Sequence, residues 1–177
     1  MLNNLINRLF CAILPARYYA KWRGIKYGRN CVILTYNWPS ETYLIRIGNK
    51  VEITAGVRIH THGGGWVVRD HYPDFDAFGK VIIEDNVYIG SDAQIMPGVT
   101  IGKGSLVAAG SIVTKSVPAG VVVAGNPAKI VSSVDDYIER NVRLNLHCKR
   151  MSFQEKKRFL LAQPEDRFIR KSYLTQK

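Results

Sequence analysis

Acidic residues are the scarce class in this chain. Fourteen Asp and Glu face 25 Lys and Arg, for a net charge of +11. An excess of that sign suits a phosphate-bearing small molecule, nucleic acid or anionic lipid. No nucleic-acid-binding motif accompanies it, so a nucleic-acid partner is not expected. Much of the excess lies in Lys149–Arg150, Lys156–Lys157–Arg158 and Arg170–Lys171, which read as solvated helical faces. Cysteine is equally sparse. Cys11, Cys31 and Cys148 are odd in number, far apart and without a C-x-x-C pair. That pattern excludes a disulfide framework and a thiolate zinc site. No apolar run is long enough to span a bilayer: Leu2–Leu14 is interrupted by Asn3, Asn4, Asn7 and Arg8. A small-residue cleavage pattern is also missing, so the expected location is the cytoplasm. With 46% hydrophobic and 22% charged residues, the chain is expected to fold as one domain with a small additional element.

What the sequence has in abundance is a period. Ile83, Ile89, Ile95, Ile101, Val107 and Val113 recur every six residues. Four positions after each stands a small or β-branched residue: Val87, Ala93, Val99, Ser105, Ser111, Val117. Upstream, Ile47, Ile53 and Ile59 keep the same spacing, with Val51 and Val57 at the second position. Six fits neither a sustained α-helix nor a lone strand. It fits a three-sided coil whose sides are short strands and whose corners are turns. Stacked coils pair their backbones about 4.8 Å apart and bury one aliphatic column.

The breaks in the period are informative. Tyr27 and Ile33 begin an early coil, after which the phase shifts, so Tyr36–Tyr43 is expected to form a corner loop. A longer break opens at Gly63 and closes near Val81 or Ile83, predicting a projecting loop over 63–80. Leu2, Leu5, Ile6, Leu9, Phe10, Ile13 and Leu14 sit at helical spacing and predict an amphipathic N-terminal helix. That helix either caps the first coil or, with Arg8, Arg17, Lys21 and Arg23, meets the inner membrane surface. The β pattern stops after Ile130. Ser133 with Asp136 and Ser152 with Glu155 resemble capping boxes, predicting two short helices, the second ending before Pro164. The expected organisation is therefore a helical segment over 1–23, a β-helix over 24–131 and a helical extension over 132–177.

The run from Ile83 through Ile95-Met-Pro-Gly-Val-Thr-Ile-Gly, with Val113-Thr-Lys and Gly125-Asn-Pro-Ala-Lys129, resembles the hexapeptide-repeat acyltransferases. Within them it looks like the maltose/galactoside O-acetyltransferases and their glycan O-acetyltransferase relatives. The resemblance implies an all-β fold, a left-handed parallel β-helix of hexapeptide repeats. It also implies a homotrimer with sites between subunits and acetyl-CoA as the acyl donor. The implied reaction is acetyl transfer to a carbohydrate hydroxyl, such as a capsule, exopolysaccharide or lipopolysaccharide precursor. An amino sugar or another small acceptor is the alternative. A zinc hydratase on the same fold is a more remote one, because His60, His62 and His71 lack its spacing; no metal is expected.

Such a transfer needs a base to take the hydroxyl proton, and histidine titrates in the useful range. His62 stands where the coil gives way to the loop, at an outward position relative to Ile59. His60, also outward, is the alternative base. Relatives often carry Thr-His-Asp-Gly-Gly in this stretch. Here Gly63 replaces the Asp, which leaves the partner of the imidazole open. By the same resemblance Ser91, Ala109, Thr114 and Lys115 are expected to contact the coenzyme along one edge, with Lys129 near its nucleotide. Ser132 falls where relatives can place a second basic residue. Trp66, His71, Tyr72, Asn86 and Tyr88 are candidates to line the acceptor site. The aromatics, Trp38 among them, serve equally well as anchors that hold the loops to the prism.

Overall fold

The computed structural model describes residues 9–173 and 175. The chain divides into two compact units, one through Val134 and one from Asp135. The first is the coil that the six-residue period predicts. Strands of two to five residues alternate with turns: β1 (Lys26–Tyr27), β2 (Val32–Ile33), β3 (Ile45–Ile47), β4 (Glu52–Ile53), β5 (Arg58–Ile59), β6 (Val81–Ile83), β7 (Tyr88–Ile89), β8 (Gln94–Ile95), β9 (Thr100–Ile101), β10 (Leu106–Val107), β11 (Ile112–Val113), β12 (Val121–Ala124) and β13 (Lys129–Ser133). From β1 to β12 consecutive strands fall in different sheets. The three faces run β1-β3-β6-β9, β2-β4-β7-β10-β12-β13 and β5-β8-β11. All pairings are parallel except β12 with β13.

The aliphatic anchors make the prism. Ile47, Ile53, Ile59, Ile83, Ile89, Ile95, Ile101, Val107 and Val113 all point inward and are buried, as are the second-position residues Val51, Val57, Val87, Ala93 and Val99. Each fully buried side chain of this size contributes about 1.5–3 kcal/mol. Where the period is unbroken, Ile83, Ile89 and Ile95 pair with residues 18 positions later: Ile101, Val107 and Val113. Across the projecting loop, Ile47, Ile53 and Ile59 pair with residues 36 positions later, without a change of register. The loop over 63–80 therefore replaces nothing in the coil.

The first coil is two residues longer, since Tyr27 pairs with Ile47. The surplus is taken up in the Tyr36–Tyr43 corner, which leads into a 3₁₀ turn at Thr42–Leu44. At the start of the chain, Leu2, Leu5 and Ile6 of the expected amphipathic helix lie outside the described residues. Residues 9–13 are helical, Pro15 interrupts, and α1 (Ala16–Trp22) follows. Proline lacks the N–H that a continuous helix needs, so the first segment ends before Pro15, as the apolar spacing through Leu14 predicts, and α1 follows as a second one. Tyr19 and Ala20 of α1 join the core and cap the first coil. At the other end, β13 runs three residues past Ile130, where the β pattern was expected to stop, because it turns back antiparallel on β12 and no longer needs the period.

The second unit holds α2 (Val134–Val142, which opens at the boundary) and α3 (Phe153–Leu161). The Ser152–Glu155 capping box opens α3 as its sequence predicts: the Glu155 amide donates to Ser152 Oγ, and the Ser152 amide donates to the Glu155 carboxylate at 2.8 Å. Among the described residues, no helix is long and apolar enough to cross a membrane.

Candidate active site

The strand β5 alternates inward and outward side chains. Ile59 is inward and His60 outward; Thr61 is inward and fully buried; His62 is outward again. His62 therefore stands at the corner where the coil leaves for the loop. The loop returns beside it. Phe78 forms an antiparallel bridge with His62, their rings 5.5 Å apart, and the Gly79 amide donates to the Thr61 carbonyl at 2.8 Å. A Cβ on Gly79 would collide with the backbone of Pro97–Gly98, so the return strand seats only because glycine is there.

The partner of the imidazole comes from the coil beneath. The enlarged first corner lifts Glu41 under Thr61 and His62. One carboxylate oxygen, Oε2, accepts from Thr61 Oγ1 at 2.8 Å and faces His62 Nδ1 at 2.8 Å. The His62 side chain is 43% exposed and that of Glu41 only 15%. The Glu41 carboxyl is held well below its ordinary range, at about 2. A hydrogen bond from the Ser40 side chain is the leading cause; bonds from Thr61, the Glu41 backbone and His62 add to it and outweigh the upward push of burial. A carboxylate so firmly ionised accepts the Nδ1 proton of His62 and leaves Nε2 as the free nitrogen. His60 is placed differently: its Nε2 lies 3.1 Å from Gln94 Oε1 on the next coil.

His60 and His62 line a groove of about 380 Å³ together with Asn37, Trp38, Ser40 and Arg58. Trp38 is an anchor, 8% exposed, with its indole N–H buried and without a hydrogen-bond partner. Trp66 and Tyr72 are not anchors. They stand exposed on the loop, as does His71.

The remaining candidates divide among the three edges of the prism. Ser91 and Ala109 stack at the corner between the second and third faces, where the Gly110 amide donates to the Ser91 carbonyl at 2.8 Å. The turn from Gly125 to Lys129 continues that edge, tied by the Gly125 amide to Ser111 Oγ at 3.2 Å. Thr114 and Lys115 follow β11 and occupy the opposite corner of the third face, above His62. The expected single coenzyme edge is thus two edges: only steps of 18 residues keep a position on one edge, whereas Ala109 and Thr114 differ by five. Asn86 lies at the third corner with φ 58°, and Tyr88 faces outward on β7. Neither reaches the His62 groove within one chain. No group of three or more His, Cys, Asp or Glu among the described residues is arranged to hold a metal ion.

The triangular coil with short parallel strands defines a hexapeptide-repeat protein. A model of the bacterial transferase hexapeptide, six repeats, matches residues 80–115. Protein CapG of Staphylococcus aureus is 44% identical over 142 residues, which cover 78% of this chain and 83% of that protein. The chain belongs to the bacterial hexapeptide-repeat transferases, and its coil is their left-handed parallel β-helix. A 55-residue stretch is 69% identical to a 2,3,4,5-tetrahydropyridine-2,6-dicarboxylate N-acetyltransferase of Clostridium perfringens (strain SM101 / Type A), covering 31% of this chain and 23% of that enzyme. A solved galactoside acetyltransferase in complex with coenzyme A is 26% identical, with a TM-score of 0.52 over 70% of this chain and 72% of that one.

Proposed function

We propose that this protein transfers an acetyl group from acetyl-CoA to a carbohydrate hydroxyl, with His62 as general base and Glu41 as the group that orients it. The observation that carries the reading is the 2.8 Å contact between Glu41 Oε2 and His62 Nδ1 at the rim of an open groove. Acetyl-CoA supplies an activated acyl thioester. His62 Nε2 takes the proton from the acceptor hydroxyl as its oxygen attacks the acetyl carbonyl carbon, and the neighbouring carboxylate stabilises the resulting imidazolium. As the C–S bond breaks, the imidazolium returns the proton to the sulfur, so that CoA leaves as the free thiol. A base so placed contributes about 10²–10⁴-fold.

The edge of Ser91, Ala109 and the Gly125–Lys129 turn fits a long, amide-bearing coenzyme. Its side chains are small and exposed, and a Cβ on Gly90 would strike the Ala109 backbone. Lys129 supplies a point charge for a phosphate. Thr114 and Lys115 belong to the His62 edge. A homotrimer would bring the His62 edge of one chain against the Ser91 edge of its neighbour, and the same packing would carry Asn86 and Tyr88 toward the groove. Exposed Trp66 and Tyr72 offer apolar faces for a sugar ring.

Transfer to an amine is the second reading, favoured by the 69% identity to an N-acetyltransferase over 55 residues. Thiol release from acetyl-CoA, measured across sugars and amino sugars, separates the two. His62→Ala is expected to lower turnover by about 10²–10⁴-fold while coenzyme binding persists. Wild-type turnover in that variant would remove His62 as the base.

A further inference from the structure

The forty residues before Glu41 contain six Lys or Arg and not one Asp or Glu. Their described part forms one end of the prism. Helix α1 buries Ala16, Tyr19 and Ala20, and so turns Arg17, Tyr18, Lys21 and Trp22 outward. Two phenols fasten this end to the first coil: Tyr27 Oη donates to the Arg17 carbonyl and Tyr36 Oη to the Leu14 carbonyl, each at 3.0 Å. Between the start of α1 and the outer face of β2 runs an apolar groove of about 410 Å³, lined by Pro15, Val32, Leu34 and Tyr36 with Arg17 at its side. Leu9, Ile13, Trp22, Val32 and Leu34, all from this part of the chain, are 44–67% exposed. None of the ion pairs among the described residues involves Arg17, Lys21, Lys26 or Arg29.

Exposed aliphatics, a Trp and Tyr pair at their border and unopposed cations around them match the chemistry of a membrane–water interface. A second copy of the chain seated face to face on this end would set Arg17 and Lys21 against their own equivalents, and like charges repel. An anionic surface meets no such penalty, and each Lys or Arg near it adds to the attraction.

We propose that this end of the prism docks on an anionic phospholipid bilayer. Ile13, Val32 and Leu34 enter the interface, Tyr18 and Trp22 sit at headgroup depth, and Arg17, Lys21 and Lys26 meet lipid phosphates. The coils that follow the first stay clear of the bilayer.

The test is flotation of the full chain with vesicles of phosphatidylcholine alone and of phosphatidylcholine mixed with phosphatidylglycerol. The protein is expected to float with the mixed vesicles, to lose them as salt is raised, and to ignore the neutral ones. Ile13→Glu with Leu34→Glu, and separately Arg17→Glu with Lys21→Glu, are each expected to lower partitioning roughly tenfold or more. Lys156→Glu with Lys157→Glu, on α3, is expected to leave it unchanged. Circular dichroism establishes that each variant is folded. Three results would overturn the proposal: no flotation of the wild type, loss of flotation only in the Lys156/Lys157 variant, or an Ile13/Leu34 variant that binds lipid normally but changes its sedimenting mass.

Discussion

Glu41 stands 21 positions before His62 and touches it only because the coil returns. Gly63, next to it, has no side chain to orient the ring. The coil below provides one instead. The Glu41 carboxyl titrates at about 2, below its ordinary 4.5. Its contribution to stability is therefore complete above 4.5 and is lost as the pH falls toward 2. Acid denaturation followed in the wild type and in Glu41→Gln should diverge above that window and converge below it. The same substitution should lower turnover about 10²-fold, because an amide can donate to Nδ1 and favour the wrong tautomer. His60→Ala should cost less than about tenfold, since its Nε2 is engaged with Gln94 rather than free. The outward position of His62, where the coil gives way to the loop, was legible in the sequence. Its partner was not, because the two residues by which the first coil overruns its period decide which side chain comes to lie under Thr61.

At the scale of the elements, the hexad carried most of the fold. From Ile83 to Val113 each aliphatic at a multiple of six became an inward, buried anchor, and the gap at Gly63 became the loop over 63–80. Where a different force took over, the period said nothing. A second helical segment follows Pro15, and β13 pairs antiparallel on β12 from Lys129 onward. The single-edge expectation for Ser91 and Thr114 gives way for an arithmetic reason: their spacing of 23 is not a multiple of 18, so they stand on different corners. Gly79 joins the loop to the prism where no Cβ fits. Gly79→Ala should unseat Phe78 from His62 and lower turnover about tenfold or more, with the far-UV spectrum of the coil retained. Equal loss of turnover and of thermal stability would instead place the damage in the prism.

For the whole molecule, two edges that never meet within one chain make assembly part of the proposed chemistry. Sedimentation should give about three times the 19.9 kDa of the chain. Mixing offers a sharper check. Inactive His62→Ala subunits refolded with inactive Ala109→Trp subunits should regain measurable turnover, because some interfaces then pair an intact imidazole with an intact small-residue edge. Silence in the mixture would mean that one chain supplies both. The loop itself has a further consequence. Its two ends lie side by side, joined by the His62–Phe78 bridge, and its insertion leaves every strand register unchanged. The entropy of closing such an excursion grows only with the logarithm of its length. Segments of other sizes and compositions can therefore be spliced between the same two stems at small thermodynamic expense, so a lineage can exchange the surface presented beside His62 while the scaffold beneath is inherited intact.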